Sequence, residues 1–217
     1  MPSSSGPLDH PGPLDAPIIV LLAAGASRRY GAPKQLVLVH GEPMVRRVAR
    51  IALGAGVPVI VVVGSQADLV VGSLKGLPIQ IVLCEDWSGG MGNSLAAGAR
   101  AVQQRFLQTS GLMLCLADQP LVDTAMLTLL LQRHQQVPQK ILASEYQEAF
   151  GPPIVFPRDC IAELTQWSGE DGARALLQRE SHRVERCPTD TAIDVDTPEA
   201  LNHINVLLAG NGPSDRK

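Results

Sequence analysis

The sequence predicts an α/β fold, a mostly parallel sheet flanked by helices in a single domain, and three observations carry that reading. Continuous apolar runs recur at Ile18–Leu22, Val59–Val63, Ile79–Leu83 and Leu112–Leu116. Each is too short for a helix and apolar on both faces, as strands buried inside a parallel sheet are. Segments with helical spacing alternate with them: PMVRRVARIAL, ADLVVGSLKG, NSLAAGARAVQQRFL and TAMLTLLLQRHQQ. A chain of 217 residues with 45% hydrophobic content can bury a good core and still be one domain. Strand, helix and strand in series wind right-handedly into a helix-covered sheet.

Taken in order, residues 1–16 are rich in Pro, Gly and Ser and read as a disordered tail. They lack the basic start and long apolar core of a signal peptide, and no segment approaches the roughly 18 apolar residues of a membrane span. The folded domain is expected over 17–209, with GNGPSDRK at 210–217 a second flexible tail. Beyond Lys140 the regularity fades. KILASEY, PIVFP and SHRVERC read as shorter strands, with GARALLQRE helical between the last two, and together they predict an insertion or second sheet region for an acceptor substrate. A final helix is expected from Pro198 to about Leu208.

Charge and composition narrow the partner. Eighteen basic and twenty-one acidic residues leave a net charge of −3, without the like-charge runs that a nucleic-acid groove or an anionic membrane requires. A small molecule fits better. Cys84, Cys115, Cys160 and Cys187 are widely spaced with no C-x-x-C, which points to a reducing cytoplasm. His40, His134, His182 and His203 show no metal-ligand spacing and read as surface or satisfied residues. No Ser-His-Asp or Cys-His pattern suggests a nucleophilic enzyme.

The chemistry concentrates where the first apolar run breaks into LLAAGASRRYGAPKQL. In open α/β sheets ligands bind at the carboxyl ends of the strands, near the point where strand order reverses. A loop there with Gly25 and Gly31 lets backbone approach a phosphate, while Arg29 and Lys34 can neutralise a triphosphate. It is not a Walker A loop, and its glycines are too far apart for G-x-G-x-x-G. Asp118 follows the fourth apolar run on the same rim, and a carboxylate there suits Mg²⁺; its other reading is a helix cap, a task Asp123 can perform. In IDVD, Asp194 and Asp196 would point the same way on a strand, so either can reach a metal. Asp196 reads equally as the N-cap of the last helix, with Pro198 in its first turn. GGMGNSL is a glycine turn opening a helix whose N-cap is Asn93 or Ser94. GPPIVF is a rigid loop ahead of a short strand. In GEDGAR, Arg174 can hold an acceptor phosphate, or pair with Glu170 and Asp171 in a capped helical turn.

These segments carry a resemblance. The pattern L-A-A-G-x-S-x-R-x-G-x-x-K, from Leu22 to Lys34, resembles the signature of the nucleotidyltransferases that activate sugars and cofactors. It is closest to the MobA-like NTP transferases, in the branch with the molybdenum-cofactor cytidylyltransferases. GGMGNSL, LADQPLV, GPPIVF, GEDGAR and IDVDTPEAL follow in the family's order, so the likeness runs from Leu22 to Leu201. Tyr30 departs from the family's usual Met or Phe, as packing, and the resemblance says nothing about the long N-terminal extension.

The resemblance implies a Rossmann-like sheet of the nucleotide-diphospho-sugar transferase type. It also implies a Mg²⁺-dependent enzyme, with Mn²⁺ possible in its place, that uses CTP and passes CMP to a phosphate-bearing acceptor, molybdenum-bound molybdopterin. It assigns nucleotide contacts to Leu22, Ala23, Ala24, Gly25, Arg29, Lys34, Gly90, Met91, Gly92, Asn93 and Ser94. Acceptor contacts fall on Gly151, Pro153, Asp171 and Arg174, metal binding on Asp118 and Asp196 ahead of Asp194, and catalysis on Arg29, Lys34 and Asp118. LAAG, rather than LAGG, resembles the cytidylyl members and makes Ala24 the informative position for the base. Partners would be the nucleotide, a pterin cofactor and a molybdoenzyme client, with no nucleic acid or membrane. The alternatives are a related transferase using GTP or a sugar phosphate, and a non-catalytic molybdoenzyme maturation partner. The carboxylates argue against the last.

Overall fold

A computed structural model describes residues 15–27, 30–146, 149–170 and 173–210. Both expected tails, apart from Asp15, Ala16 and Gly210, lie outside the described residues. The chain builds β1 (Ile18–Ala23), a small antiparallel hairpin of β2 (Leu38–Val39) and β3 (Glu42–Pro43), α1 (Met44–Gly54), β4 (Val59–Val63), α2 (Ala67–Ser73) and β5 (Gln80–Leu83). It continues through α3 (Met91–Arg105), β6 (Gly111–Leu116), α4 (Thr124–Gln136), β7 (Ile141–Tyr146), β8 (Ala149–Pro157), α5 (Arg158–Leu164), α6 (Arg174–Arg179), β9 (Val184–Pro188) and α7 (Pro198–Gly210).

Seven strands form one sheet in the order β5-β4-β1-β6-β8-β7-β9. The β5-β4-β1-β6 half is wholly parallel, and β8 alone runs antiparallel to both its neighbours, β6 and β7. Every residue of β1, β4 and β6 is buried, because alternate side chains serve opposite layers. Val20, Leu22, Ile60, Val62, Leu112 and Leu114 pack under α3, α5 and α6. Ile19, Leu21, Val59, Val61, Met113 and Cys115 pack under α1, α2 and α4. Helix α3 comes close enough that a Cβ on Gly98 would stand 2.4 Å from Val20 Cγ1. A third, smaller cluster of Val39, Met44, Val195, Leu201 and Ile204 fastens α7 and the β2–β3 hairpin beside the sheet's upper rim.

Four expectations are corrected. The run Ile79–Leu83 is an edge strand beginning at Gln80, with Leu83 56% exposed; an apolar run reads the same whether a strand has one neighbour or two. The segment beyond Lys140 is no second sheet, since β7, β8 and β9 extend the first, and the prolines of GPPIVF lie inside β8. Its burial rises from the rim end to the core end, which blurs the apolar pattern. SHRVERC is strand only from Val184. Helix α5 was not foreseen, being a short turn set directly against the PIVFP strand, yet it buries Cys160, Ile161 and Leu164.

The four cysteines are free, and burial pushes the Cys115 thiol up to about 12, so it is an inert core group. His134 is not a surface residue: it is buried, with the backbone of Ser110 against its ring. Burial lowers its pKa, with the Ser110 backbone opposing. Among the described residues no helix is long and apolar enough to cross a membrane.

Candidate active site

Strand order turns at β1, so a crevice opens above the carboxyl ends of β1 and β6. The loop leaving β1 is shaped by Ser27, which holds φ at +55° although it is not glycine. Its carbonyl accepts hydrogen bonds from Tyr30 N at 3.0 Å and Gly31 N at 3.3 Å. Its hydroxyl accepts from Lys34 N at 3.1 Å and donates to Gln35 Oε1 at 3.2 Å. Gln35, buried, donates in turn to the carbonyls of Ala23 and Gly25. A left-handed non-glycine residue costs roughly 1–2 kcal/mol, which these bonds offset. They also aim Lys34 back across the rim.

Lys34 Nζ lies 2.6 Å from Asp118 Oδ2 and 3.0 Å from Asp196 Oδ1. Asp118 emerges at the end of β6, where Ala117 N still pairs with Leu22 O. Val195 N donates to Asp118 O at 2.8 Å, and this bond draws IDVD over the crevice. The segment has no strand structure, so the alternation argument does not apply. Thr197, not Asp196, caps α7 by accepting from Ala200 N, with Pro198 in the first turn as expected. Asp123 caps α4, which leaves Asp118 to the crevice. Asp194 also faces it, held by Gln119 Nε2 at 2.9 Å.

The electrostatics distinguish the three carboxylates. Burial works to lower the Lys34 pKa, but the charges and hydrogen bonds of Asp118 and Asp196 outweigh it and the pKa is raised. Asp194 is raised by burial first and then by the Asp118 charge, with Gln119 and Lys34 opposing. Lys34 thus pairs with Asp118 and Asp196, and Asp194 is a carboxyl whose ionised form its burial disfavours. Oxygen donors of this kind fit Mg²⁺ or Mn²⁺. No three His, Cys, Asp or Glu side chains among the described residues form a ready metal cage, so an ion held here would have to complete its shell with phosphates and water.

The facing wall joins two motifs. Helix α3 starts at Met91, after Gly90 at φ +113°, so neither Asn93 nor Ser94 is its N-cap. Gly92 N donates to Gly169 O at 2.9 Å, and Asn93 Oδ1 accepts from Gly169 N at 3.2 Å. Asn93 Nδ2 donates to the Asp86 carbonyl and carboxylate. A Cβ on Gly90 would stand 2.4 Å from Gly169 O, and one on Gly92 2.7 Å from the Ser168 carbonyl. GGMGNSL and GEDGAR are therefore locked backbone to backbone. On the third side, Gly64 leaves room for Trp87 beside Ala24.

A cleft of about 360 Å³ lies between these walls. Of the residues singled out from sequence, Leu22, Ala23, Ala24, Gly25, Lys34, Gly90, Met91, Ser94, Asp118 and Asp196 line it, as does Asp194. Gly92 and Asn93 stand behind it as the clamp. Gly151 and Pro153 lie in β8, where Pro153 O accepts from Ser144 Oγ, and Arg174 is exposed at the start of α6; none of these three lines the cleft. Arg29 and Asp171 fall outside the described residues. Sequence reasoning passed over Gln35, Trp87 and Ser88, and it read Ser27 only within the opening pattern and Glu170 only as a partner in a helical turn; all five also line it. The only signal for Gln35 was its place next to Lys34. Tyr30 both lines the cleft and packs against the α7 cluster.

A mostly parallel sheet of this order is a fold shared by solved nucleotidyltransferases. Residues 19–184 match the MobA-like NTP transferase domain, and the chain belongs to that family. It is 32% identical over 207 residues to the nicotine blue oxidoreductase of Paenarthrobacter nicotinovorans, covering 88% of this chain and 98% of that protein. It is 28% identical over 202 residues to the purine catabolism protein PucB of Bacillus subtilis, covering 88% and 96%. The crystal structure of Rv0371c from Mycobacterium tuberculosis superposes with a TM-score of 0.75 at 27% identity, over 88% of this chain and 98% of that one. That protein has also been crystallised in complex with manganese, with a TM-score of 0.72, 26% identity and the same coverage.

Proposed function

We propose that this protein is a Mg²⁺-dependent nucleotidyltransferase, able to use Mn²⁺, that transfers CMP from CTP to a phosphate-bearing acceptor, molybdenum-bound molybdopterin, and releases pyrophosphate. One observation carries the reading: Lys34, Asp118 and Asp196 converge within 3.0 Å contacts on the rim where a basic loop, a glycine turn and a helix start face each other. The manganese complex of the mycobacterial relative supports divalent-metal use, and LAAG at Leu22–Gly25 supports cytosine. Free cysteines support a reducing cytoplasm as the place of action, with a molybdoenzyme as the client.

An acceptor phosphate oxygen forms a bond to the α-phosphorus while the bond from that phosphorus to the bridging oxygen breaks and pyrophosphate departs. The chain contributes positioning and charge rather than a covalent intermediate. Asp118 and Asp196 would hold the divalent ion, whose chemistry is to neutralise phosphate charge. The Ser27–Gln35 network keeps the loop backbone open to the phosphates. Lys34, with Arg29, meets the charge that develops on the leaving pyrophosphate. Ala24, Trp87 and the α3 start enclose the base.

Pyrophosphate release from each of the four NTPs, alone, with molybdopterin and with a sugar phosphate, tests this. Release from CTP that depends on acceptor is the expected result; release from GTP alone refutes the base, and release with a sugar phosphate refutes the acceptor. The 32% identity to a protein named as an oxidoreductase favours a second reading, in which the cleft holds a nucleotide-bearing redox cofactor. Consumption of a reduced nicotinamide cofactor, with no pyrophosphate from any NTP, would select it.

A further inference from the structure

The same lysine that the proposed reaction places on phosphate sits, in this structure, on carboxylates. Lys34 Nζ contacts Asp118 at 2.6 Å and Asp196 at 3.0 Å, with only 15% of its side chain exposed. A divalent ion held by those oxygens would stand about 2.1 Å from them, in the space the ammonium occupies. The two cations cannot share both carboxylates, because charges this close repel strongly where solvent screening is weak. Lysine suits movement between partners, being a compact point charge on a flexible four-carbon stem with three rotatable donors. Its backbone, by contrast, is pinned by the Ser27 hydroxyl, so the side chain pivots from a fixed root.

We infer that Lys34 has two stations, one between Asp118 and Asp196 and one on the nucleotide phosphates, and that a divalent ion entering with nucleotide drives it from the first to the second. The lysine is then a built-in competitor of the metal. It lowers affinity for the bare ion and makes metal and nucleotide bind together, since the displaced ammonium gains a phosphate partner only when nucleotide is present. This rests on the proposed metal role of Asp118 and Asp196. A purely structural ion pair predicts the reverse, because removing its cation would loosen the carboxylates and leave metal binding unchanged or weaker.

The test titrates Mn²⁺ alone into the full chain and counts free ion by electron paramagnetic resonance. It compares the wild type with Lys34→Met, Lys34→Ala, Lys34→Arg and Asp118→Asn. Both neutral variants should bind Mn²⁺ about tenfold more tightly than the wild type and show a larger rise in Tm on adding it. Lys34→Arg keeps the charge and should stay near wild-type affinity, separating loss of the cation from loss of the fold. With CTP present the ranking should invert, the wild type gaining affinity and the neutral variants gaining less. If Asp118→Asn weakens Mn²⁺ binding while Lys34→Met and Lys34→Ala bind no better than wild type, the two-station lysine is refuted and the metal reading survives. If Asp118→Asn leaves Mn²⁺ binding untouched, the metal reading fails and the inference falls with it.

Discussion

The two sides of the cleft are held by different means. On the β1 side, Ser27 and Gln35 bind the loop's own backbone within a dozen residues, so local chain chemistry sets the geometry. On the side of IDVD, the chain has no regular structure and depends on Val195 N to Asp118 O, on Gln119 to Asp194 and on the burial of Val195 under α7. The first side is closed by bonds local in sequence; the second joins parts of the chain some 75 residues apart. The family match ends at residue 184, so the segment with two of the three cleft aspartates lies beyond it.

The sharpest way to break this comparison is Asp118→Ala, because Asp118 joins both sides through Lys34 and Val195. Turnover should fall by on the order of 10³, while circular dichroism and Tm stay close to wild type, since the side chain is on the rim. Wild-type rates with Mg²⁺ present would reduce Asp118 to a structural residue. The next largest effect is expected at the clamp. Gly90→Ala places a methyl against the Gly169 carbonyl at a backbone conformation reserved for glycine, costing on the order of 2–4 kcal/mol. Thermal unfolding checks it, and an unchanged Tm would mean that the two walls move independently.

Ala24→Gly gives a smaller effect. It removes one buried methyl from the side of the cleft proposed for the base, so the proposed preference for CTP over GTP in kcat/KM should narrow by about tenfold at most without reversing. An unaltered ratio would take Ala24 out of base selection. The smallest concerns the far edge of the sheet. A hydrogen bond from Arg133, reinforced by its charge, holds the Glu185 carboxyl below its usual range. A depressed carboxyl contributes stability above its unfolded pKa and loses it as pH falls through the folded one. Glu185→Gln should therefore lower Tm slightly at neutral pH, and the gap should close on acidification. A gap that widened in acid would contradict the assignment.

How much of this was legible in the sequence follows from what each feature depends on. The strands β1, β4 and β6 were readable because burial on two faces demands unbroken apolar runs, and Lys34 and Asp118 because position after a strand places them on the rim. The edge status of β5 was not readable, since neighbour count leaves no mark on a five-residue run. Asn93 looked like a helix cap because asparagine favours that task. Its actual partners are Asp86, seven residues before it, and Gly169, 76 residues after it. Gln35 was overlooked because a buried amide that staples a loop becomes visible only once Ser27 takes its left-handed turn.

Within the seven-stranded sheet, the antiparallel course of β8 fixes how the chain returns to α3. β8 carries the chain from the rim down to the opposite end of the sheet, where Gly111 pairs with Pro157, and α5 then climbs back alongside α3. Arg100 reaches the Thr165 carbonyl at the top of that climb, and Gly169 meets Gly92 and Asn93 a few residues later. α3 is thereby splinted at two heights by one returning arm and cannot slide along it. If that wall receives a substrate, as proposed, a shift of preference there is expected to come from exchanged side chains on a braced frame and not from a loop that swings aside.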